Sequence, residues 1–204
     1  MPYLDQGEFY SEFGSFDVSI TLPDNYLIAA TGEMQNTDEL AKMKELATIT
    51  KSNLENESYF TAKMEEVKAS SPQTKTIRFI QNNVHDFAWF ADKKFQVLQG
   101  EVELPHSKQK VTTWSLFTPE NHLTWKKSLE YIHDATYYYS KWNGDYPYKH
   151  VTAIDGTIAA GGGMEYPMIT IIGNTGDDTE LERVIMHEVG HNWFYGILGS
   201  NERD

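Results

Sequence analysis

The sequence predicts an α+β fold in which a β-rich first part is followed by a part that mixes helices and strands. Residues 1–117 contain several segments that alternate apolar and polar residues or are rich in β-branched and aromatic residues. From Thr118 onward, an apolar stripe at helical spacing is followed by short strand-like segments and a second helical pattern. We therefore expect two domains, residues 1–117 and residues 118–204.

The strands of the first part are predicted from the spacing of its apolar residues. In Phe16–Pro23 every second residue is apolar, as in a strand with one buried face. The predicted strands are residues 16–23, 26–32, 74–92, 94–104 and 108–117. A helical insert near residues 37–70 interrupts them, because apolar residues recur there at helical spacing in two charged segments.

The second part is predicted to open with a long helix. Thr118 is a favourable N-cap residue, and Pro119 suits the first helical position. One face of residues 118–142 is apolar and carries Trp125, Leu129, Ile132, Ala135, Tyr139 and Trp142. Such a stripe is typical of a helix that packs against a core. The strand-like segments HVTAIDGT and MEYPMITIIG follow, and then a final helix whose start is capped by Thr179 and Glu182.

The composition limits the classes of partner. The chain of 204 residues carries a formal net charge of −13, which argues against nucleic acid because phosphate binding needs a basic surface. The acidity favours solubility, and an acidic cleft that attracts peptide amines is the alternative. No apolar run reaches membrane-spanning length, and the start, MPYLDQGEFYSEF, lacks the regions of a signal peptide. The compartment is not predicted.

The segment HEVGH, His187–His191, has the pattern of a helical metal site. The two histidines are four residues apart, so a helix places both imidazoles on one face, one turn apart. The chain has no cysteine, so a zinc site must use histidines and carboxylates. Glu188 lies about 100° around the helix from His187 and can act as a general base toward water. The alternative is a buried helix with two incidental histidines.

A catalytic zinc site needs a third protein ligand and an open position. Glu202 and Asp204 follow the motif and are candidates, together with carboxylates elsewhere in the chain. The sequence gives no specific reason to prefer either of them.

A glycine-rich stretch, GTIAAGGGMEYPMI, precedes the HEVGH helix. Its consecutive glycines, Gly161 to Gly163, permit unusual backbone angles and the close approach of another chain. The segment after them predicts a strand at the edge of a sheet, where an extended peptide can pair with it. Glu165 beside that strand could bind a cation such as a free α-amino group. A flexible turn with a solvated glutamate is the alternative.

Together, HEVGHNWF and GGGMEYP resemble the M1 family of gluzincin aminopeptidases, in which a G-x-M-E-N motif lies some twenty residues before H-E-x-x-H. The segments VTTWSLF and NGDYPYKHVTAID also resemble the family, the first at the entry into its catalytic domain. The resemblance covers residues 75–204 and, as part of an N-terminal β domain, residues 9–36. Tyr166 departs from the family, which has an asparagine there.

The resemblance implies the end of a β domain followed by the first part of a thermolysin-like α/β catalytic domain. It also implies a single Zn²⁺ and a peptide substrate with a free N-terminus. The functional residues that it implies are the zinc ligands His187 and His191, the general base Glu188, and the substrate-binding residues Glu165, Gly162, Gly163 and Met164.

The resemblance further implies that the chain is an internal fragment. The family's third zinc ligand is a glutamate with eighteen residues between it and the second histidine, which places it past Asp204. The tyrosine that stabilises the transition state in the family lies further on still. We therefore expect the fragment to be inactive and to bind zinc weakly or not at all. Two alternatives remain open: a non-catalytic interaction module, and another zinc metallohydrolase such as an endopeptidase or an epoxide hydrolase.

Overall fold

The computed structural model of the protein describes residues 12–66, 68–158 and 161–199. Helices and strands are mixed in an α+β fold, which confirms the predicted class. The strands are β1 (Gly14–Pro23), β2 (Leu27–Ala30), β3 (Glu33–Met34), β4 (Thr74–Val84), β5 (Trp89–Asp92), β6 (Gln96–Glu103), β7 (Lys110–Phe117), β8 (His150–Asp155), β9 (Gly163–Tyr166) and β10 (Ile169–Ile172). The α-helices are α1 (Thr37–Ser52), α2 (Glu57–Glu65), α3 (His122–Trp125), α4 (Ser128–Asn143) and α5 (Asp178–Gly190).

Two small sheets form in the first part of the chain. β1 and β3 flank β4 in an antiparallel sheet, and β2 pairs with β5. The single strand predicted for residues 74–92 is therefore two strands in different sheets. Alternate residues of these strands are buried together as Ile20, Leu22, Ile28, Ala30, Ile77 and Phe79.

A five-stranded mixed sheet in the order β6-β7-β8-β10-β9 forms the centre of the described residues. β7, β8 and β10 run parallel, and both of its faces are covered, as is usual for parallel strands. One face packs against α4 and α5 through residues that include Leu98, Val111, Ile132, Val151 and Ile185. The other face packs against α1 through residues that include Met43, Ala47, Val97, Trp114 and Ile154.

This sheet crosses the predicted domain boundary. β7 pairs with β8, so a division between residues 117 and 118 would separate two hydrogen-bonded strands. The division into two domains stays a prediction. The pairing favours an assignment of β6 and β7 to the second part of the chain.

The helix predicted from Thr118 to Trp142 is interrupted. A 3-10 turn at Pro119–Asn121 leads into α3, and α4 begins only at Ser128. The Thr118 hydroxyl does not cap the turn because it donates to the buried Asp155 carboxylate at 2.5 Å. The prediction was wrong for Trp142, which is 67% exposed and packs against Tyr138 instead of the core.

The strand predicted for Met164–Gly173 is a hairpin. β9 and β10 are antiparallel and are joined through Pro167 and Met168. Pro167 has no N–H for the ladder, and Met168 adopts a positive φ of 68°, so the chain reverses between them. β9 lies at the edge of the described sheet, as predicted for this segment.

The cap of α5 also differs from the prediction. The Asp177 side chain accepts the Glu180 N–H at 2.8 Å, and the Glu180 carboxylate accepts the Gly176 N–H at 2.6 Å. Thr179 lies inside the first turn, because the helix begins at Asp178. The capping pair predicted at Thr179 and Glu182 was therefore wrong by two residues.

The predicted helical insert forms α1 and a shorter α2. Val67, predicted to lie on the apolar face of the second helix, is outside the described residues. Among the helices of the described residues, none has both the length and the apolar character that a membrane span requires.

Candidate metal centre

The C-terminal turn of α5 brings His187 and His191 together. Their Nε2 atoms lie 3.1 Å apart. Two nitrogen ligands at ~2.0–2.1 Å in a tetrahedron around Zn²⁺ are separated by ~3.3 Å. The spacing of the two imidazoles therefore fits two ligands of the same ion.

The tautomer of His191 is fixed by a main-chain contact. Its Nδ1 lies 3.2 Å from the Phe194 carbonyl oxygen, which can only accept a hydrogen bond, so Nδ1 carries the proton. The Nε2 lone pair then faces His187. Metal-binding histidines usually donate their second ring N–H in this way, which orients the ring. The sequence could not show this contact, because any residue provides a carbonyl.

Glu188 is buried between α5 and β9. Its side chain belongs to a residue only 5% exposed, and Oε2 has no hydrogen-bond partner among the described residues. Burial, together with the negative charge of Glu165 and a hydrogen bond with that side chain, raises the pKa of the Glu188 carboxyl to about 7. A buried carboxyl with a free oxygen atom is suited to hold a proton or to face a cation.

Gly163 allows β9 to pass over Glu188. A Cβ atom at this position would lie 2.5 Å from both Cγ and Oε1 of Glu188, so any larger residue would displace that side chain. Gly190 also lies at a close contact. A Cβ there would lie 2.9 Å from the Tyr139 ring of α4, so the tight contact is between helices and not beside a metal.

The sheet edge brings Glu165 to the same place. Glu165 lies opposite Thr170 in the β9–β10 hairpin, and its Oε1 is 3.9 Å from His191 Nε2. The ligand atoms of Glu165, Glu188 and His191 all lie within 4.8 Å of one another. The predicted strand residues are adjacent, since Gly163 and Met164 begin β9 and Gly162 precedes it at a φ of +74°.

Several residues at this site were not predicted from the sequence. His85, just after β4, and Tyr195 line the space beside Glu165 and His191. The ring centroids of His85 and Tyr195 are 4.2 Å apart. Asn192 joins the hairpin to α5, because its Oδ1 accepts the Met168 N–H at 3.1 Å. Nothing in the local sequence distinguishes His85, which the fold brings close from more than 70 residues away.

His187 is exposed to solvent. The buried face of α5 carries Leu181, Ile185 and Val189. The candidate third ligands Glu202 and Asp204 lie outside the described residues.

The donor set fits a divalent metal ion such as zinc. Imidazole and carboxylate are both zinc ligands, and the spacing of the two histidines matches tetrahedral coordination. The unpartnered Oε2 of Glu188 faces a region that already holds a second carboxylate, where a cation would offset the repulsion. The structure therefore offers two overlapping sets of donors that a zinc ion could use: the imidazole pair of His187 and His191, and His191 with the carboxylates of Glu165 and Glu188.

Glu188→Gln is expected to stabilise the metal-free chain. The change replaces a buried carboxyl beside Glu165 with a neutral amide of the same shape, and we expect a gain on the order of 1–3 kcal/mol in the free energy of unfolding. Urea unfolding with EDTA present at pH 8 measures this gain. Glu182→Gln, on the exposed face of the same helix, serves as the control and should change little. A destabilised Glu188→Gln variant would contradict the assignment of an uncompensated buried charge.

The comparisons with known proteins support a relationship of fold. No protein-family model matches the chain, and no curated protein matches it. An M1 zinc metallopeptidase from Deinococcus radiodurans matches with a TM-score of 0.54 at 16% identity, over 92% of this chain and 35% of that one. Mutants of a two-domain M1 zinc metallopeptidase bound to L-arginine and to L-tryptophan match with a TM-score of 0.53, also at 16% identity and with the same coverage.

The chain thus spans about a third of the length of the solved structures that it matches. It has the fold of part of an M1 zinc metallopeptidase, and this agrees with the resemblance seen in the sequence.

Proposed function

We propose that the chain carries the metal-binding and amine-binding parts of a zinc aminopeptidase, which removes N-terminal residues from peptides. The observation that carries the proposal is the convergence of Glu165 and Glu188 on His191, within 4.8 Å, at the end of a helix that also holds His187. These groups come from a sheet edge and a helix, so the fold and not the local sequence brings them together.

His187 and His191 would hold the zinc ion through their Nε2 atoms. When bound, zinc polarises a carbonyl group and lowers the pKa of water toward ~7. Glu188 would take a proton from the attacking water and pass it to the leaving amine. Its burial supports this role, because a raised pKa near neutrality suits a group that must both accept and release a proton.

Glu165 would pair with the α-ammonium group of the peptide. Its position at the edge of the sheet fixes how far the substrate can enter, which makes the reaction exo-acting. The outer edge of β9 is not paired with another strand of the described residues. An extended peptide can add to such an edge through main-chain hydrogen bonds, with Gly162, Gly163 and Met164 lining it.

Zinc binding to the 204-residue chain tests the metal centre. We expect weak binding, because the closely grouped ligand atoms are those of Glu165, Glu188 and His191, and His187 is not among them. His187→Ala or His191→Ala should abolish this binding in calorimetric titration. His133→Ala, which removes a half-exposed histidine of α4, is the matched control and should leave the affinity unchanged. Stoichiometric zinc that survives dialysis in elemental analysis would contradict the expected weakness.

Glu165→Gln separates its two possible roles. If Glu165 binds the substrate amine, the variant keeps its zinc affinity, and in the whole protein KM rises while kcat changes less. A tenfold loss of zinc affinity would instead identify Glu165 as a metal ligand and reject the amine-binding role.

The substrate class is tested with aminoacyl-nitroanilides and their N-acetylated forms in the whole protein. An aminopeptidase hydrolyses only the substrates with a free amine. Equal hydrolysis of both forms would favour another zinc metallohydrolase, such as an endopeptidase. Zinc binding without hydrolysis of any peptide would favour a non-catalytic interaction module.

A further inference from the structure

A cleft lies between α1 and the central sheet, and none of its lining residues belongs to the candidate metal centre. Its volume is about 260 Å³. Its apolar walls are formed by Ile28, Met34, Leu40, Met43, Phe79 and Trp114. An engineered apolar cavity of about 150 Å³ binds benzene, and drug-sized ligands occupy pockets of ~300–1,000 Å³. The cleft therefore has the size for a small ligand with an apolar body.

Trp114 contributes a hydrogen-bond donor to the wall of this cleft. Trp114 is 7% exposed, and its indole N–H donates to no acceptor among the described residues. His150, another lining residue, has both ring nitrogens in hydrogen bonds: Nε2–H donates to the Gly32 carbonyl at 2.8 Å, and Nδ1 accepts from the Thr152 hydroxyl at 3.3 Å. The Trp114 N–H is thus available to an acceptor on a ligand.

The cleft carries a small excess of positive charge, although the chain as a whole is acidic. Lys44, Lys149 and Glu33 all line it. Lys149 pairs with Glu33 at 2.9 Å, whereas Lys44 forms no ion pair with the described residues. In a chain with a net charge of −13, an unpaired lysine at the mouth of an apolar cleft favours an anionic ligand over a neutral or cationic one.

We propose that this cleft binds a small monocarboxylate with an apolar body, of the medium-chain fatty acid class. The apolar part lies against Met43 and Trp114, and the carboxylate meets Lys44 at the rim. Because α1, the N-terminal strands and the central sheet all contribute walls, the ligand joins these parts of the fold and stabilises them together. The site is independent of the proposed peptidase chemistry.

Isothermal titration of the 204-residue chain with octanoate in the presence of EDTA tests the proposal without any contribution from zinc. We expect octanoate to bind and to raise the midpoint of thermal unfolding. Octanol, which lacks the charge, should bind more weakly, and octylamine more weakly still.

Variants locate the binding. Lys44→Gln should weaken octanoate binding by up to about fivefold, as expected for a rim ion pair. Lys51→Gln, in the last turn of the same helix and outside the cleft, is the matched control and should have no effect. Trp114→Phe should weaken binding by removal of the N–H. Leu40→Trp, which fills the cleft from a half-buried position of α1, should abolish binding while the unliganded chain keeps its unfolding midpoint.

The proposal is overturned if octanoate gives no binding at millimolar concentration, or if octanol and octylamine bind as tightly as octanoate. It is equally overturned if folded Leu40→Trp retains full affinity, because the ligand would then lie elsewhere.

Discussion

Glu188→Gln in the whole protein is expected to lower kcat by about 10²–10⁴-fold, while zinc remains bound. The amide keeps the shape of the carboxyl group but cannot take a proton from water. Glu188 does not need to ligate the metal, so the zinc content should stay at the level of the unchanged protein. The measurement is turnover of an aminoacyl-nitroanilide together with elemental analysis of the same sample.

Glu182→Gln on the same helix is the control for this experiment and should retain full turnover. Near-normal turnover of Glu188→Gln would remove the general-base role. The urea unfolding measurement shows whether the variant is folded. Because Glu188→Gln is expected to stabilise the metal-free chain, its loss of activity would not be due to unfolding. The combination of lower activity and higher stability is typical of a strained catalytic group.

Gly163→Ala is expected to lower kcat by about 10²-fold with little change in KM. The new Cβ would lie 2.5 Å from Glu188 Cγ and Oε1, so the carboxyl group must move, and a displacement of about 1 Å can cost this much in rate. Gly163 does not have a positive φ, so alanine fits the backbone and the strand should form. Kinetics with the same nitroanilide substrate, with zinc content as a check, measure the effect.

A double variant separates this mechanism from a direct contact with substrate. Gly163→Ala in a Glu188→Gln background should cost little further activity, because both changes act through the same carboxyl group. Gly14→Ala, at a glycine with no atom within 4 Å of the added Cβ, should behave as the unchanged protein. An additive loss in the double variant, or a rise in KM alone, would show that Gly163 acts through the substrate.

The parts of the fold that could be predicted were those with a local period. The alternation in Phe16–Pro23 and the helical spacing from Thr37 each reflect a face that must be buried, and both elements formed within two or three residues of the prediction. One prediction failed because a distant group changed the local preference. Thr118 is a good N-cap residue, but its hydroxyl is bound by Asp155, which is 37 residues away.

The candidate site shows the same division. The spacing of His187 and His191 determined by itself that a helix would set their imidazoles side by side, because 3.6 residues per turn fixes the i and i+4 positions on one face. The segment MEYPMITIIG likewise predicted an edge strand, and its first part forms one, β9. Their roles in zinc and substrate binding stay predictions.

Only the tertiary structure decided that Glu165 and Glu188 meet beneath Gly163, that His85 comes to the same space, and that β10 separates β8 from β9. These contacts join residues from different elements, and no short-range pattern encodes the order in which strands assemble. The sequence therefore determined the geometry within one helix and one strand. Burial of Leu181, Ile185 and Val189 packs α5 against the edge of the sheet. This packing brings the carboxylates of Glu165 and Glu188 together and shields the Glu188 carboxyl from water.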